Sequence, residues 1–174
     1  MKRHGFTVLE LIIVISVMAI LIVLGTVSMR GSIANMKDIE RESDIDSISI
    51  HLESFFTSGT NGSESTGYYP STVTLIGTGD GSISTTRAIL RNIDPQSLVA
   101  PGDGSGFSLV KATNADQSTA GVTPQPTTLQ YIYQPIQNDG ASLCDTDGMQ
   151  CRKFNLYYRL ETDGAIYKVT SKNQ

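Results

Sequence analysis

One acidic side chain lies within the most apolar part of the sequence. Glu10 is followed at residues 11–24 by the run LIIVISVMAILIVL, in which Ser16 is the only polar residue. A carboxylate at membrane depth costs about 2.5–3.5 kcal/mol, so such a residue is by default a functional candidate that needs a partner. The alternative is an interfacial glutamate at the start of a helix, where the positive end of the helix dipole stabilises it. Glu10 is therefore the first candidate functional residue.

The two cysteines of the chain, Cys144 and Cys151, form a second candidate site. In an oxidising compartment two cysteines most often form one disulfide, which here would close a short loop. No histidine lies near them and their spacing is not C-x-x-C, which disfavours a zinc site and redox catalysis. Asp139, Asp145 and Asp147 could offer oxygen ligands to calcium, but the spacing of an EF-hand is absent and acidic turns are common. We therefore predict a disulfide and no metal site.

The sequence contains no recognisable pattern of catalytic residues. It has no glycine-rich phosphate loop and no Ser/His/Asp set, so it predicts neither an enzyme nor a bound cofactor. A formal net charge of −4 and a pI near 5.1 argue against a protein whose main task is to coat nucleic acid. Residues 152–174 differ from the chain as a whole, because their net charge is +3. Their five basic residues make DNA binding a weaker alternative: Arg152, Lys153, Arg159, Lys168 and Lys172.

The apolar run belongs to a segment that is long enough to cross a membrane. Residues 6–29 would form about 36 Å of α-helix at ~1.5 Å per residue, against a hydrocarbon core of ~30 Å. Lys2 and Arg3 precede this segment, so the positive-inside tendency keeps the N-terminus in the cytoplasm. A cleavable secretory signal ending near Ala34 is the alternative, which the very short basic leader and the intervening Arg30 oppose. We therefore predict a single-pass protein of the cytoplasmic (inner) membrane with its C-terminus outside.

After the membrane-spanning segment, the sequence predicts first an amphipathic helix and then a region rich in Gly, Ser and Thr. Ile45, Ile48 and Leu52 recur on one face of a helix, which predicts a single helix from residue 6 to about residue 56 whose second half lies on a soluble domain. Gly, Ser and Thr fill 33 of the 72 positions of residues 57–128, a composition that would also suit a disordered linker. Apolar clusters recur within this region, however, and favour short elements docked on the helix.

The last part of the chain has the alternation of β-strands. Tyr131 and Tyr133 alternate with polar residues, and so do Phe154, Leu156 and Tyr158. These patterns predict an antiparallel sheet of three or four strands, with one face on the helix and the other toward solvent or a neighbouring subunit. The predicted fold class is α+β, with a long N-terminal α-helix packed on a C-terminal antiparallel β-sheet.

The N-terminal residues resemble a known family. Residues 2–11, KRHGFTVLEL, join a short basic leader, a Gly-Phe pair, a nearby glutamate and an unbroken apolar helix. This combination resembles the processing and assembly motif of type IV prepilins and pseudopilins. The resemblance implies that a prepilin peptidase cuts between Gly5 and Phe6 and methylates Phe6, and that Glu10 acts in assembly. The expected parts are the leader 1–5, the transmembrane and assembly helix 6–29, the amphipathic half 30–56, the connecting region 57–128 and the sheet with its disulfide loop 129–174.

The charge of Glu10 suits this expected role. After removal of the leader, the α-amino group of Phe6 is positively charged, and in apolar surroundings it needs an anion as much as Glu10 needs a cation. The pair can form within one chain or between adjacent subunits. A pair between subunits would also fix their axial register.

The resemblance implies a structural subunit of a type IV pilus-like surface filament that serves adhesion, motility or DNA uptake. Its partners would be further copies of the chain, prepilin peptidase, the inner-membrane assembly machinery and, before assembly, membrane lipid. After assembly it would be extracellular. Two alternatives are a pseudopilin of a type II secretion system and a DNA-binding minor pilin of a competence system, for which the C-terminal basic residues would be the contacts.

Overall fold

The structure, a computed structural model, describes residues 7–59, 66–104 and 106–173. The helices are α1 (Val8–Ser58), α2 (Thr72–Ile76), α3 (Ile83–Ile89) and a 3₁₀ helix (Pro95–Leu98). The strands are β1 (Leu109–Lys111), β2 (Tyr131–Gln137), β3 (Cys151–Arg159) and β4 (Ile166–Thr170). The predicted α+β, pilin-like layout is confirmed, because a long apolar N-terminal helix precedes a sheet.

Helix α1 is continuous over 51 residues, which corresponds to about 76 Å. Thr7 caps its first turn, and the N–H of Gly59 closes its last turn by donating to the Phe55 carbonyl at 2.8 Å. Gly59 has a φ of 62°, a conformation that glycine adopts at little cost. The helix runs without interruption through Gly25 and Gly31.

The main core lies between the second half of α1 and one face of the sheet. Ile45, Ile48 and Leu52 of α1 are at most 1% exposed and belong to one cluster with the inward-facing residues of the sheet, such as Phe154 and Leu156. Apolar residues of the Gly/Ser/Thr-rich region complete the cluster, as the recurring apolar clusters predict: Tyr69, Leu75, Ile76, Leu90 and Leu98, together with Ile93. This part of the chain is therefore folded wherever the structure describes it.

The sheet has the order β1-β2-β3-β4 and is mixed. Strands β2, β3 and β4 pair antiparallel, as predicted, whereas β1 pairs with β2 in parallel. Parallel neighbours need a crossover connection of a dozen or more residues, and residues 112–130 supply it here. The three-residue strand β1 lies in the Gly/Ser/Thr-rich region, where the sequence pattern predicts only a short apolar cluster.

That crossover also covers the second face of the sheet. We call residues 112–126 the covering loop. Its Val122 packs with Ile132 and Tyr157 in a second apolar cluster, and all three are at most 1% exposed. The amide nitrogen of Gln134 donates to the carbonyls of Asn114 and Asp116 at 2.9 Å each. The expectation that this face meets solvent or a neighbouring subunit is therefore wrong for the area under the covering loop.

Candidate assembly surface

The first half of α1 projects from the head as an uncovered apolar surface. Residues Val8–Gly25 have a mean hydropathy of 3.0, and none of this segment is buried against the rest of the chain. Its 14 large apolar side chains are 45–76% exposed. By length and composition this segment can cross a membrane. An apolar surface of this size requires lipid or other protein around it.

Ser16 and Glu10, the polar residues of Val8–Gly25 other than Gly25, form hydrogen bonds within the helix. The Ser16 hydroxyl donates to the Ile12 carbonyl at 2.7 Å, the bond that lets a serine sit in apolar surroundings. At the start of the helix, the Thr7 hydroxyl oxygen accepts from the Glu10 N–H at 3.3 Å, and the Glu10 carboxylate accepts from the Thr7 N–H at 3.5 Å. These two bonds form a capping box.

The capping box gives Glu10 a local role at the helix start, which agrees with the alternative of an interfacial glutamate there and adds two hydrogen bonds to it. The spacing T-x-x-E at residues 7–10 is the signal that would have revealed it. The carboxylate remains exposed and can accept a further partner. The predicted processing residues Gly5 and Phe6 lie outside the described residues. Cleavage between them and the pairing of Phe6 with Glu10 therefore stay predictions.

A polar cluster of two buried residues and one exposed glutamate marks the point where α1 enters the head. Residues 7–25, 29, 31–33, 35 and 36 are exposed and Ala34 is half-buried, whereas Asp38 and Arg41 are 5% and 1% exposed. Arg41 donates from Nη1 to Asp38 Oδ1 at 2.6 Å and from Nη2 to Glu161 Oε2 at 3.2 Å. We call Asp38, Arg41 and Glu161 the exit cluster.

The exit cluster is tied to the backbone of three separate loops. Arg41 Nε donates to the Thr128 carbonyl at 2.9 Å, and Arg41 Nη2 lies 3.5 Å from the Pro101 carbonyl. Asp38 accepts from the N–H groups of Glu161 and Thr162 at 2.7 and 2.9 Å. Burial alone would raise the pKa of Asp38, but these hydrogen bonds hold it below its ordinary value. Asp38 is therefore a buried carboxylate held in its charged form.

The segment that precedes the exit cluster in the sequence matches a known protein family model. Residues 1–26 match the model of the prokaryotic N-terminal methylation motif, which is typical of type IV pilins and pseudopilins. The chain has a pilin-like N-terminus. The match includes Gly5, Phe6 and Glu10 and covers most of the projecting apolar surface. Comparisons with curated proteins and with solved structures found no match.

The pilin-like chain carries the predicted disulfide in its head. Cys144 and Cys151 are bonded, and both are fully buried. Their carbonyls accept from the segment that follows α1, because Tyr69 N–H donates to Cys151 at 2.7 Å and Thr72 N–H donates to Cys144 at 3.1 Å. The disulfide loop therefore anchors the start of the region that connects α1 to the sheet.

The acidic residues near the disulfide stabilise turns of the head through hydrogen bonds. The Asp139 carboxylate accepts from the Ser142 hydroxyl and from the N–H groups of Ala141 and Ser142, and these bonds lower its pKa, the hydroxyl bond most. Asp147 accepts from the Thr74 hydroxyl at 2.8 Å. Among the residues that the structure describes, no group of three or more His, Cys, Asp or Glu side chains is arranged to hold a metal ion.

Three of the five basic residues that motivate the DNA-binding alternative have structural partners. Arg152 donates to the Gly67 carbonyl at 2.7 Å and Lys168 to the Gln117 carbonyl at 2.9 Å. Arg159 donates to the carbonyls of Pro126 and Gly164 at 3.0 and 3.1 Å. These contacts fix loops around the sheet, so this geometry does not favour DNA binding over a structural role.

Proposed function

We propose that this chain is the structural subunit of a type IV pilus-like surface filament, cleaved after Gly5 and assembled through the apolar half of α1. The supporting observation is the uncovered segment Val8–Gly25, which joins a pilin-like N-terminus to a folded head. Burying a large apolar side chain contributes about 1.5–3 kcal/mol. For 14 such side chains the total is on the order of tens of kcal/mol, so the segment must leave water in every functional state.

Two environments can cover this segment in turn. In the membrane-held subunit, lipid covers it, and Lys2 and Arg3 keep the N-terminus on the cytoplasmic side. In the filament, the same surface packs against the helices of neighbouring subunits, and Glu10 leaves the interface for apolar surroundings. The role of the chain is then structural rather than catalytic, and its partners are other copies, prepilin peptidase and the inner-membrane assembly machinery.

Glu10 provides the test of this proposal. An unpaired carboxylate among apolar helices would cost several kcal/mol, so the filament requires a cation at Glu10, and the α-amino group of a neighbour's Phe6 is the candidate. Glu10→Ala and Glu10→Gln should both leave export and folding of the head intact and sharply reduce filament formation. The measurement is the amount of sheared surface filament relative to total membrane subunit in each strain.

The structure supplies two matched controls for the Glu10 variants. Thr7→Ala removes the same capping box without removing the charge, and Ser16→Ala removes another polar group from the apolar helix. Both controls should assemble normally. If Thr7→Ala lowers the yield as much as Glu10→Ala, the effect comes from capping. Normal yield from both Glu10 variants, with processing confirmed, would contradict the proposed pairing.

A pseudopilin of a type II secretion system would use the same helix in the same way. The two functions differ in where the assembled chain is found. We expect the mature chain in filaments sheared from the cell surface, identified by mass spectrometry. If the chain stays in the cell envelope while a secretion system depends on it, the pseudopilin role is correct instead.

A further inference from the structure

The apolar half of α1 and the head meet within a single turn of helix. Residues Val8–Gly25 are not buried against the rest of the chain, and from Asp38 onward one face of the helix is buried in the head. Asp38 and Arg41 are three residues apart and so lie on the same side of this turn. Any change in their contacts changes how the head is attached to the projecting helix.

The exit cluster joins several segments that are distant along the chain. Arg41 and Asp38 together contact Pro101, Thr128 and the Glu161–Thr162 turn, which are 60 to 124 residues away along the chain. Lys37 adds an ion pair to Glu161 at 3.6 Å. The Arg41 guanidinium uses all three of its nitrogens, and a planar fork of this kind holds its acceptors in fixed directions.

Stability alone is a weak explanation for such a cluster. Buried ion pairs are often no more stabilising than apolar residues of similar size, because removing charges from water offsets their attraction. Their best supported effect is to select one geometry over others. In the exit cluster, the ion pairs can select the direction in which α1 leaves the head.

A small error in this direction has a large effect at the end of the helix. Arg41 and Glu10 are 31 residues apart, which is about 46 Å along α1. A tilt of about 10° at Arg41 would therefore move Glu10 sideways by about 8 Å. This displacement exceeds the 4 Å or so within which an ion pair forms.

We propose that Asp38 and Arg41 are positioning residues, which fix the direction of the assembly helix relative to the head so that neighbouring subunits meet in register. The proposal rests on the proposed function for its link to assembly, but the fixed direction is a property of one chain. It can therefore be measured without filaments.

The test uses the full mature chain in detergent micelles with two nitroxide labels. Asn35→Cys places one label on the exposed helix just outside the head, on the head side of Gly31, and Asn138→Cys places the other at the far end of β2. The native cysteines are paired, so the labels react only with the new ones. Pulsed electron spin resonance then gives the distribution of distances between the labels.

Arg41→Lys is the main variant, because it keeps a positive charge beside Asp38 but cannot reach three loops at once. We expect the distance distribution to broaden, the near-UV circular dichroism of the head to stay unchanged, and most of the surface filament to be lost. Asp38→Asn should have the same effects and replaces Arg41→Lys if that variant fails to fold.

Glu53→Gln is the matched control at the other end of the head. The Glu53 carboxylate accepts from Lys172 N–H, Asn173 Nδ2 and the Tyr69 hydroxyl at 2.7, 2.6 and 2.8 Å, so it is a similar polar anchor of α1. This variant should keep the narrow distribution. A narrow distribution in both exit-cluster variants, or equal broadening in Glu53→Gln, overturns the positioning role.

The filament measurement separates this proposal from the proposed function. Broadening with normal filament yield would overturn the link between exit direction and assembly. Absence of filaments from the wild-type chain would contradict the proposed function but leave the distance measurement valid.

Discussion

Asp44 is a buried carboxyl group whose ionisation opposes folding. It lies on α1 and is 7% exposed, and the Tyr131 hydroxyl donates to its Oδ2 at 2.8 Å. Burial raises the pKa of Asp44 from 3.8 to about 6, and the nearby negative charges of Glu40 and Asp94 act in the same direction. The Tyr131 hydrogen bond and Arg41 lower this pKa without cancelling the effect of burial.

The sign of the effect on stability follows from linkage. Between pH 3.8 and about 6 the folded chain keeps a proton on Asp44 that the unfolded chain has lost. The contribution of Asp44 to the free energy of unfolding therefore falls as the pH rises through this window and is constant above it. At 1.36 kcal/mol per pKa unit, the total change is about 3 kcal/mol. Partial solvent screening reduces this to about 2–3 kcal/mol.

Asp44→Asn should remove this pH dependence, because asparagine does not titrate and can still accept from Tyr131. We expect the stability of the variant relative to wild type to increase by about 2–3 kcal/mol between pH 4 and pH 7. In a chain of this size the change corresponds to about 5–10 °C in the midpoint of thermal unfolding. Groups that titrate in both proteins cancel in the difference, so it isolates Asp44.

The assay is thermal unfolding of the full chain in a nonionic detergent at several pH values. Near-UV circular dichroism reports on the head, since the chain has seven tyrosines and no tryptophan. Asp46→Asn, an exposed carboxylate on the same helix, shows how much of the change comes from removing one negative charge from α1. A difference between Asp44→Asn and wild type that does not vary with pH would refute the reasoning.

Two further predictions concern covalent changes. Processing after Gly5 should give a mature chain of 169 residues that starts at Phe6. The loss of Lys2 and Arg3 changes its formal net charge from −4 to −6. Intact mass and N-terminal sequencing of material from the native cell would show both. A mature N-terminus near Asn35 would instead indicate a cleaved secretory signal. Replacing Cys144 and Cys151 by serine should cost about 2 kcal/mol, at the low end for disulfides because the loop is short. Hydrogen exchange should accelerate at the amides of Tyr69 and Thr72, which donate to the two cysteine carbonyls, and unchanged exchange there would contradict the anchoring role.

Features with a short sequence period or a local motif could be predicted from the sequence. The apolar run after Glu10 and the 3.6-residue spacing of Ile45, Ile48 and Leu52 predict α1 to within about two residues at either end. The alternation around Tyr131 and Phe154 predicts the antiparallel strands. In each case residues that are close together along the chain decide the local conformation, so the pattern can be recognised in the amino-acid sequence.

The tertiary structure decided what depends on contacts between distant residues. Asp38 and Arg41 belong to a run of charged residues at positions 38–46, a pattern that predicts a solvated helix face. That prediction is wrong for these two residues, because folding brings Glu161 and Thr128 to them from about 90 to 120 residues away. Similarly, the three-residue strand β1 has too few residues to show a period, and its parallel pairing with β2 depends on the covering loop. The sequence therefore determined the apolar helix and its pilin-like N-terminus, whereas the attachment of that helix to the head is a property of the fold, because one buried arginine satisfies acceptors from three loops at once.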